Sequence, residues 1–172
     1  MKKIRFAVAM SLDGYIAGPN GEADWIVSDP EVDFVEIWAQ FDTLLMGRRT
    51  CDAAVSRLGE AAFQGPTVVV ASRTLRAQDH PKATIISNLT VEQLQSLREQ
   101  SKKDIWLMGG GEIFRALLEM RQVDTVEVSA MPVLLGGGIQ LLPPPPHQVK
   151  LKLTGHKICR SGIVSLSYDV QP

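Results

Sequence analysis

Three segments of this sequence join an apolar run to the start of a helical pattern through glycine or other small residues. They are MGRRT at 46–50, VVVASRT at 68–74 and MGGGEIF at 108–114. Free N–H groups at the start of a helix bind anions, and arginine adds charge-assisted hydrogen bonds to phosphate. Two of the segments contain arginine, so together the three segments indicate a phosphate-binding site.

The energies of these contacts favour a ligand with more than one phosphate. A helix N-terminus contributes roughly 0.3–1 kcal/mol to anion binding, and a charge-assisted hydrogen bond contributes about 1.5–3 kcal/mol. Two helix starts and two arginines therefore suit a diphosphate and a further phosphate, as in a phosphorylated dinucleotide. Taken alone, the glycines at 109–111 are equally consistent with a tight turn.

Two other glycine motifs fit this sequence poorly. A P-loop requires Lys followed by Ser or Thr, where this chain has Glu112 and Ile113. The Rossmann fingerprint requires a third glycine at the position of Phe114.

Hydrophobic periodicity predicts an α/β fold in a single domain, residues 1–172. Strands are predicted at 3–10, 43–47, 66–72, 83–87, 104–108 and 123–131, with a long loop at 11–25. Helices are predicted at 28–42, 48–58, 90–100 and from Gly110 onward. Their alternation implies a mainly parallel central sheet with flanking helices, and the carboxyl ends of its strands gather ligand-binding segments. Two alternating strands within 149–170 predict a C-terminal antiparallel hairpin.

The first predicted helix has several signals at its N-terminal end. Ser28 or Asp29 is the expected N-cap, and Pro30 suits the first turn. Ser28 and Glu31 also have the spacing of a capping box. Apolar residues at 34, 35, 38 and 41 are expected to form its buried face.

Composition indicates a globular cytoplasmic protein. The chain is 45% apolar and 22% charged, with a net charge of −1, so nothing suggests nucleic acid or an anionic membrane as partner. The apolar run after the basic start is too short for a signal peptide or a membrane span. Cys51 and Cys159 match no metal-ligand spacing, so we expect free thiols and no metal site.

Five motifs, in this order, resemble the dihydrofolate reductase fold and, within it, the RibD C-terminal reductase family of riboflavin biosynthesis as a stand-alone member. They are SLDGYIAGPNGEADW (11–25), DTLLMGRRT (42–50), VVVASRT (68–74), IWLMGGGEIFRALL (105–118) and VDTVEVSAMPVLLGGG (123–138). The first and last favour the riboflavin-type branch over true dihydrofolate reductases. The zinc deaminase that often accompanies this domain is excluded, because its H-x-E and P-C-x-x-C motifs are absent from the sequence.

The resemblance implies an NADPH-dependent reductase that is often a homodimer. An arginine near the ribose 2′-phosphate is also what distinguishes NADP sites from NAD sites. By match to the family, the cofactor-binding residues are Gly47, Arg48 and Thr50 at one helix start; Ser72 and Arg73 near the 2′-phosphate and adenine; Gly109, Gly110, Gly111 and Glu112 at the diphosphate; and Ala9 and Ile16 beside the nicotinamide.

The substrate side is less sharply defined. Reduction of a C=N-like centre is assisted by an acid, and Asp13, Glu31 and Asp33 are the candidate catalytic carboxylates. Each has a structural alternative: an Asx turn before Gly14 for Asp13, a capping box for Glu31 and a solvated surface for Asp33. Trp25 and Ser129 are candidate substrate contacts.

The expected activity is hydride transfer from NADPH to a pyrimidine, pterin or ribosylamine. The family default is 5-amino-6-(5-phosphoribosylamino)uracil, an intermediate of riboflavin biosynthesis. A dihydrofolate reductase and a non-catalytic NADP-binding protein are the alternatives.

Overall fold

The computed structural model describes residues 1–144 and 148–172. Its strands are β1 (Ile4–Ser11), β2 (Tyr15–Ala17), β3 (Phe41–Gly47), β4 (Thr67–Ala71), β5 (Ala83–Ile86), β6 (Asp104–Gly109), β7 (Thr125–Met131), β8 (Ile139–Gln140), β9 (Leu151–Ile158) and β10 (Val164–Val170). Its α-helices are α1 (Phe34–Ala39), α2 (Arg48–Leu58), α3 (Val91–Gln100) and α4 (Gly111–Glu119). Short 3-10 turns occupy Gly59–Phe63 and Ala77–Asp79.

Eight strands form the main sheet in the order β5-β4-β3-β6-β1-β7-β10-β9. The first six strands in this order, from β5 to β7, pair in parallel with their neighbours. Strands β10 and β9 add the antiparallel hairpin next to β7. The first strand lies in the middle, where Ile4 is in register with Ile105 of β6 and Arg5 is in register with Thr125 of β7. The predicted α/β architecture is confirmed.

The two faces of the sheet are covered differently because side chains alternate along each strand. One face packs against α3 and α4, and its centre includes Phe6 stacked on Phe114 with ring centroids 3.7 Å apart. The other face packs against α2 beside β3 and β4, where Cys51 is fully buried. Burial raises the pKa of the Cys51 thiol, and Cys51 and Cys159 are both free thiols, as expected.

The first helix is shorter than predicted. Helix α1 begins at Phe34 and its N-cap is Asp33, whose carboxylate accepts a hydrogen bond from the Glu36 amide. The prediction of Ser28 or Asp29 as N-cap was wrong, as was the capping box that would have used Glu31. The Asp29 carboxylate instead accepts hydrogen bonds from the Glu31 and Ser161 amides, which holds this stretch in a turn.

The predicted apolar face of that helix is also not buried. No residue of α1 is buried, Val35 is 80% exposed, and Phe41 belongs to β3 instead of the helix. The predicted loop at 11–25 contains β2, which pairs with β8 in a separate two-stranded sheet. The remaining elements lie where they were predicted, with shifts of bounds at their ends. Within the described residues, no helix is long and apolar enough to cross a membrane.

A buried arginine joins α3 to the start of β1 and to the segment before β7. The Arg98 guanidinium donates to the carbonyl oxygens of Lys2 and Gln122 and lies 2.6 Å from the Asp124 carboxylate. Asp124 also accepts a hydrogen bond from the Ile4 amide at 2.7 Å. The group therefore fixes the amino-terminal edge of the central strands.

We expect Arg98→Met to lower the free energy of unfolding by about 1.5–3 kcal/mol, because it removes the charged donor from the Asp124 carboxylate and from the carbonyl oxygens of Lys2 and Gln122. Urea denaturation followed by circular dichroism measures the change. The matched change at an exposed position, Arg57→Met, should alter stability by less than about 0.5 kcal/mol. Equal effects of the two substitutions would contradict this account of Arg98.

Candidate active site

The three glycine- or arginine-bearing segments meet at one edge of the sheet. They follow β3, β4 and β6, which are neighbours and parallel. Gly47 is in register with Ala71, and Met46 is in register with Gly109. The side chain of Thr50 lies 3.8 Å from the place that a Cβ at Gly109 would take. Parallel pairing thus places the starts of α2 and α4 side by side, where α/β sheets bind ligands.

The helix starts at this edge differ from the other two. The N-caps of α2 and α4 are Gly47 and Gly110, and neither start has a capping hydrogen bond from a side chain. By contrast, Asp33 caps α1, and Thr90 forms a complete capping box on α3. Because the first N–H groups of a helix have no acceptor within it, α2 and α4 present free donors to an anion.

Arg48 joins the start of α2 to the segment after β4. Its guanidinium donates to the Thr74 hydroxyl at 2.6 Å and pairs with Asp52 at 3.3 Å. The Ser72 hydroxyl accepts hydrogen bonds from the Thr74 and Leu75 amides, so it stabilises the turn. The Arg73 side chain is exposed beside them. Thr74 was not among the predicted site residues, because its contact with Arg48 spans 26 positions.

The three consecutive glycines serve different purposes. Gly109 has φ +123°, which residues with a side chain rarely adopt, and it is joined to Gly110 by a cis peptide bond. A Cβ at Gly110 would meet nothing within 4 Å, so Gly110 is open to a ligand. A Cβ at Gly111 would lie 2.6 Å from the Gln140 carbonyl oxygen, so close packing against β8 already requires this glycine. Glu112 pairs with Arg115 at 2.9 Å.

A row of paired residues crosses the sheet next to this edge. Ala9 on β1 is in register with Ser129 on β7, which is in register with Ser165 on β10, and Ser165 is paired with Lys157 on β9. The hydroxyls of Ser129 and Ser165 are 3.1 Å apart. Ser165 was missed in the sequence because strand register alone brings it beside Ser129. Ile16 lies on β2 and is half-buried.

Asp13 binds a loop from the far end of the chain. Its carboxylate accepts hydrogen bonds from the Leu135 amide at 3.1 Å and the Gly136 amide at 2.7 Å. Hydrogen bonds from the Ser11 hydroxyl and from these amides lower the pKa of Asp13 to about 2. A carboxyl group with this pKa is ionised at neutral pH, so the geometry suits a positioning role better than proton donation.

The other two predicted carboxylates, Glu31 and Asp33, also have partners in the protein. Glu31 pairs with Arg160 at 3.3 Å, and Asp33 caps α1. Buried Asp29, which was not predicted as a site residue, receives hydrogen bonds from Ser161 and Glu31, and these hold its pKa below the usual range. Ligand atoms of Asp29, Glu31 and Cys159 lie within 4.8 Å of one another, but the carboxylates already have these partners.

Trp25 lies over the same face of the sheet as Ala9. Both side chains pack against a small buried cluster formed by Met131, Cys159 and Ile163. The Trp25 indole donates to the Glu22 carbonyl oxygen at 3.0 Å. The structure thus brings Trp25, Ala9 and Ser129 to one region, and places the arginines and glycines along the adjoining edge.

Solved structures of known proteins share this arrangement of strands and helices. A Shewanella sp. PV-4 protein named for riboflavin biosynthesis is 25% identical, has a TM-score of 0.80 and aligns over 100% of both chains. The Thermotoga maritima diaminohydroxyphosphoribosylaminopyrimidine deaminase/5-amino-6-(5-phosphoribosylamino)uracil reductase has a TM-score of 0.73 at 18% identity, over 99% of this chain and 57% of that one. Dihydrofolate reductase from Enterococcus faecalis, solved with NADP(H), has a TM-score of 0.70 at 16% identity, over 99% and 97%. The fold is dihydrofolate reductase-like.

Sequence comparison identifies the family. The RibD C-terminal domain matches residues 2–165. YyaP of Bacillus subtilis strain 168 is 30% identical in an alignment of 178 residues. The alignment covers 97% of this chain and 94% of YyaP. YwjB of the same strain is 25% identical over 159 residues, which cover 91% of each chain. The chain belongs to the RibD C-terminal domain family, as its motifs indicated.

We expect Asp13→Asn to loosen the 135–136 loop, because an amide accepts these hydrogen bonds less strongly than a carboxylate. Hydrogen exchange should show lower protection of the Leu135 and Gly136 amides, while the same change in the exposed loop, Asp24→Asn, should leave them unaltered.

The pKa of Asp13 is lower in the folded state, so the stabilisation that Asp13 provides is present above pH ~4 and is lost as the pH falls through about 2. Unchanged protection of the Leu135 and Gly136 amides in Asp13→Asn, or at a pH below about 2 in the original chain, would contradict this role.

Proposed function

We propose that this chain is an NADPH-dependent reductase that transfers hydride to a C=N-type centre of a pyrimidine, pterin or ribosylamine. The observation that supports this best is the pair of helix starts, α2 and α4, that lack side-chain caps and lie beside Arg48. Membership of the RibD C-terminal family supports a reductase.

The residues at this edge fit a phosphorylated dinucleotide. The N–H groups at the starts of α2 and α4 would bind the diphosphate, with Gly110 leaving room for its approach. Arg48 and exposed Arg73 would bind the 2′-phosphate, and Thr74 and Asp52 orient the Arg48 guanidinium. When bound, NADPH supplies the hydride.

The nicotinamide end of the site would lie near Ala9, next to the hydroxyl pair of Ser129 and Ser165, and the family resemblance adds Ile16 to it. This pair can both donate and accept hydrogen bonds, so it suits the polar edge of a heterocycle. Trp25 covers the same region and would exclude water from it.

A C=N centre accepts hydride more readily when protonated. Asp13, Glu31 and Asp33 are the carboxylates proposed to deliver a proton through water, and in the structure Glu31 pairs with Arg160 while Asp33 caps α1. Asp13 would act by positioning the 135–136 loop.

NADPH oxidation followed at 340 nm tests the activity against dihydropterins, ribosylaminouracils and cyclic imines. Turnover of a dihydropterin alone would favour a dihydrofolate reductase. NADPH binding without turnover of any substrate would favour a non-catalytic NADP-binding protein. A homodimer stays a prediction, for which sedimentation velocity is the test.

We expect Arg48→Ala to weaken NADPH binding by about tenfold to a hundredfold, because about 1.5–3 kcal/mol of charge-assisted bonding to the 2′-phosphate is lost. NADH affinity should change little, since NADH has no 2′-phosphate. Fluorescence titration with both nucleotides measures the difference. Arg49→Ala, at the exposed neighbouring position, is the control and should affect neither nucleotide. An equal loss for NADPH and NADH would count against the assignment of Arg48.

A further inference from the structure

A short stretch before α1 is tied to the tip of the β9–β10 hairpin, although its partners lie 126 to 132 positions further along the chain. The Asp29 carboxylate accepts a hydrogen bond from the Ser161 amide at 3.1 Å. The Lys157 ammonium donates to the Glu31 carbonyl oxygen, and the Arg160 guanidinium pairs with the Glu31 carboxylate at 3.3 Å. Three contacts thus join a stretch without helix or strand to the edge of the main sheet.

These contacts differ in how far water reaches them. Asp29 is 7% exposed, and its two carboxylate oxygens accept from different amides, one from Ser161 and the other from Glu31 at 2.7 Å. The Arg160 side chain is 95% exposed, so its ion pair with Glu31 is weak. Because hydrogen bonds to a buried carboxylate are the stronger kind, Asp29 is the main anchor of this stretch.

The hairpin tip that Asp29 binds is itself fixed. The Cys159 amide donates to the Ile163 carbonyl oxygen at 2.9 Å, and the Gly162 amide donates to the Cys159 carbonyl oxygen at 3.0 Å. Gly162 has φ +90°, which suits glycine, and a Cβ there would lie 3.5 Å from the Pro132 side chain. The tip therefore rests on the segment after β7 and gives Asp29 a firm partner.

The stretch that Asp29 anchors lies inside a longer segment, residues 25–33, which we call the cover. Trp25 begins the cover, and Trp25 and Val32 both pack against the small buried cluster that contains Cys159. Ala9 packs against the same cluster from β1. Asp33 ends the cover and caps α1. The position of Asp29 is therefore linked to that of the tryptophan over Ala9 and to that of the first turn of α1.

We infer that Asp29 is a positioning residue for the reaction: through the Ser161 amide it anchors the cover on the hairpin and so holds Trp25 over Ala9. Its effect on turnover rests on the proposed function, whereas the anchoring does not. Releasing Asp29 lowers the fraction of molecules with the cover in place, and substrate affinity falls by the same factor. The proposed phosphate contacts, at the starts of α2 and α4, do not include the cover.

Alkylation by iodoacetamide, located by peptide mass spectrometry, measures the anchoring directly, because Cys159 is 3% exposed and the cover packs against its cluster. In Asp29→Asn the amide side chain keeps one acceptor and turns a donor toward the other amide. We expect Cys159 to be alkylated at least about tenfold faster in this variant.

The chain offers two matched controls for this measurement. Asp24→Asn makes the same chemical change at an exposed position just before the cover, and it should alter the alkylation rate of Cys159 by less than about twofold. Cys51, which is fully buried beside α2, should react equally slowly in every variant if the rest of the sheet stays folded. An equal rate at Cys159 in the two variants, or an equal rise at Cys51, would overturn the inference.

A third variant separates Asp29 from the neighbouring ion pair. Arg160→Ala removes the exposed partner of Glu31 and should leave the alkylation rate of Cys159 within about twofold. A rise as large as that in Asp29→Asn would assign the anchor to Glu31 and overturn the role of Asp29.

Steady-state kinetics tests the effect on the reaction, with the dihydropterin, ribosylaminouracil or cyclic imine that the original chain turns over fastest. Asp29→Asn should raise the KM for that substrate about tenfold and leave the Kd for NADPH unchanged. Faster alkylation of Cys159 with an unchanged substrate KM would overturn the role in the reaction. If the original chain turns over none of these compounds, the proposed function fails and the role in the reaction fails with it, while the alkylation rates still decide whether Asp29 anchors the cover.

Discussion

The parallel pairing of β3 with β4 and β6 is the constraint on which the candidate site depends. It brings the carboxyl ends of three strands to one edge, so the segments after them meet although they are separated in sequence. An antiparallel neighbour would have sent one of these segments to the opposite edge. The dinucleotide proposal is therefore a consequence of strand direction as much as of the arginines and glycines themselves.

Helix capping divides the helix starts of this chain into two that have a side-chain cap and two that do not. Asp33 and Thr90 satisfy the first N–H groups of α1 and α3 from within the protein. The starts of α2 and α4 have no such side chain, which leaves their donors for a ligand. Gly111 shows that a glycine at a helix start can also be required by packing, since Gln140 occupies the space of its side chain.

Local patterns were sufficient to predict most of the fold and the meeting of three strand-to-helix segments at one edge of the sheet. Apolar runs marked the strands, and Thr90 marked the start of α3 correctly. The start of α1 could not be predicted, because Asp29 binds Ser161, 132 positions away, instead of capping a helix. The contact of Asp13 with the 135–136 loop was likewise not predictable, since that loop lies 122 or 123 positions along the chain. The same holds for the pairing of Ser129 with Ser165, which are 36 positions apart.

The central position of β1 has a consequence for how the molecule assembles. Its neighbours β6 and β7 begin about a hundred residues later in the chain, at Asp104 and Thr125. During synthesis, β1 must therefore remain without its final partners until most of the polypeptide has left the ribosome. The proposed substrate side, which includes Ala9 and Asp13, can therefore be completed only after β6 and β7 have been made, whereas β3 and β4 can already pair.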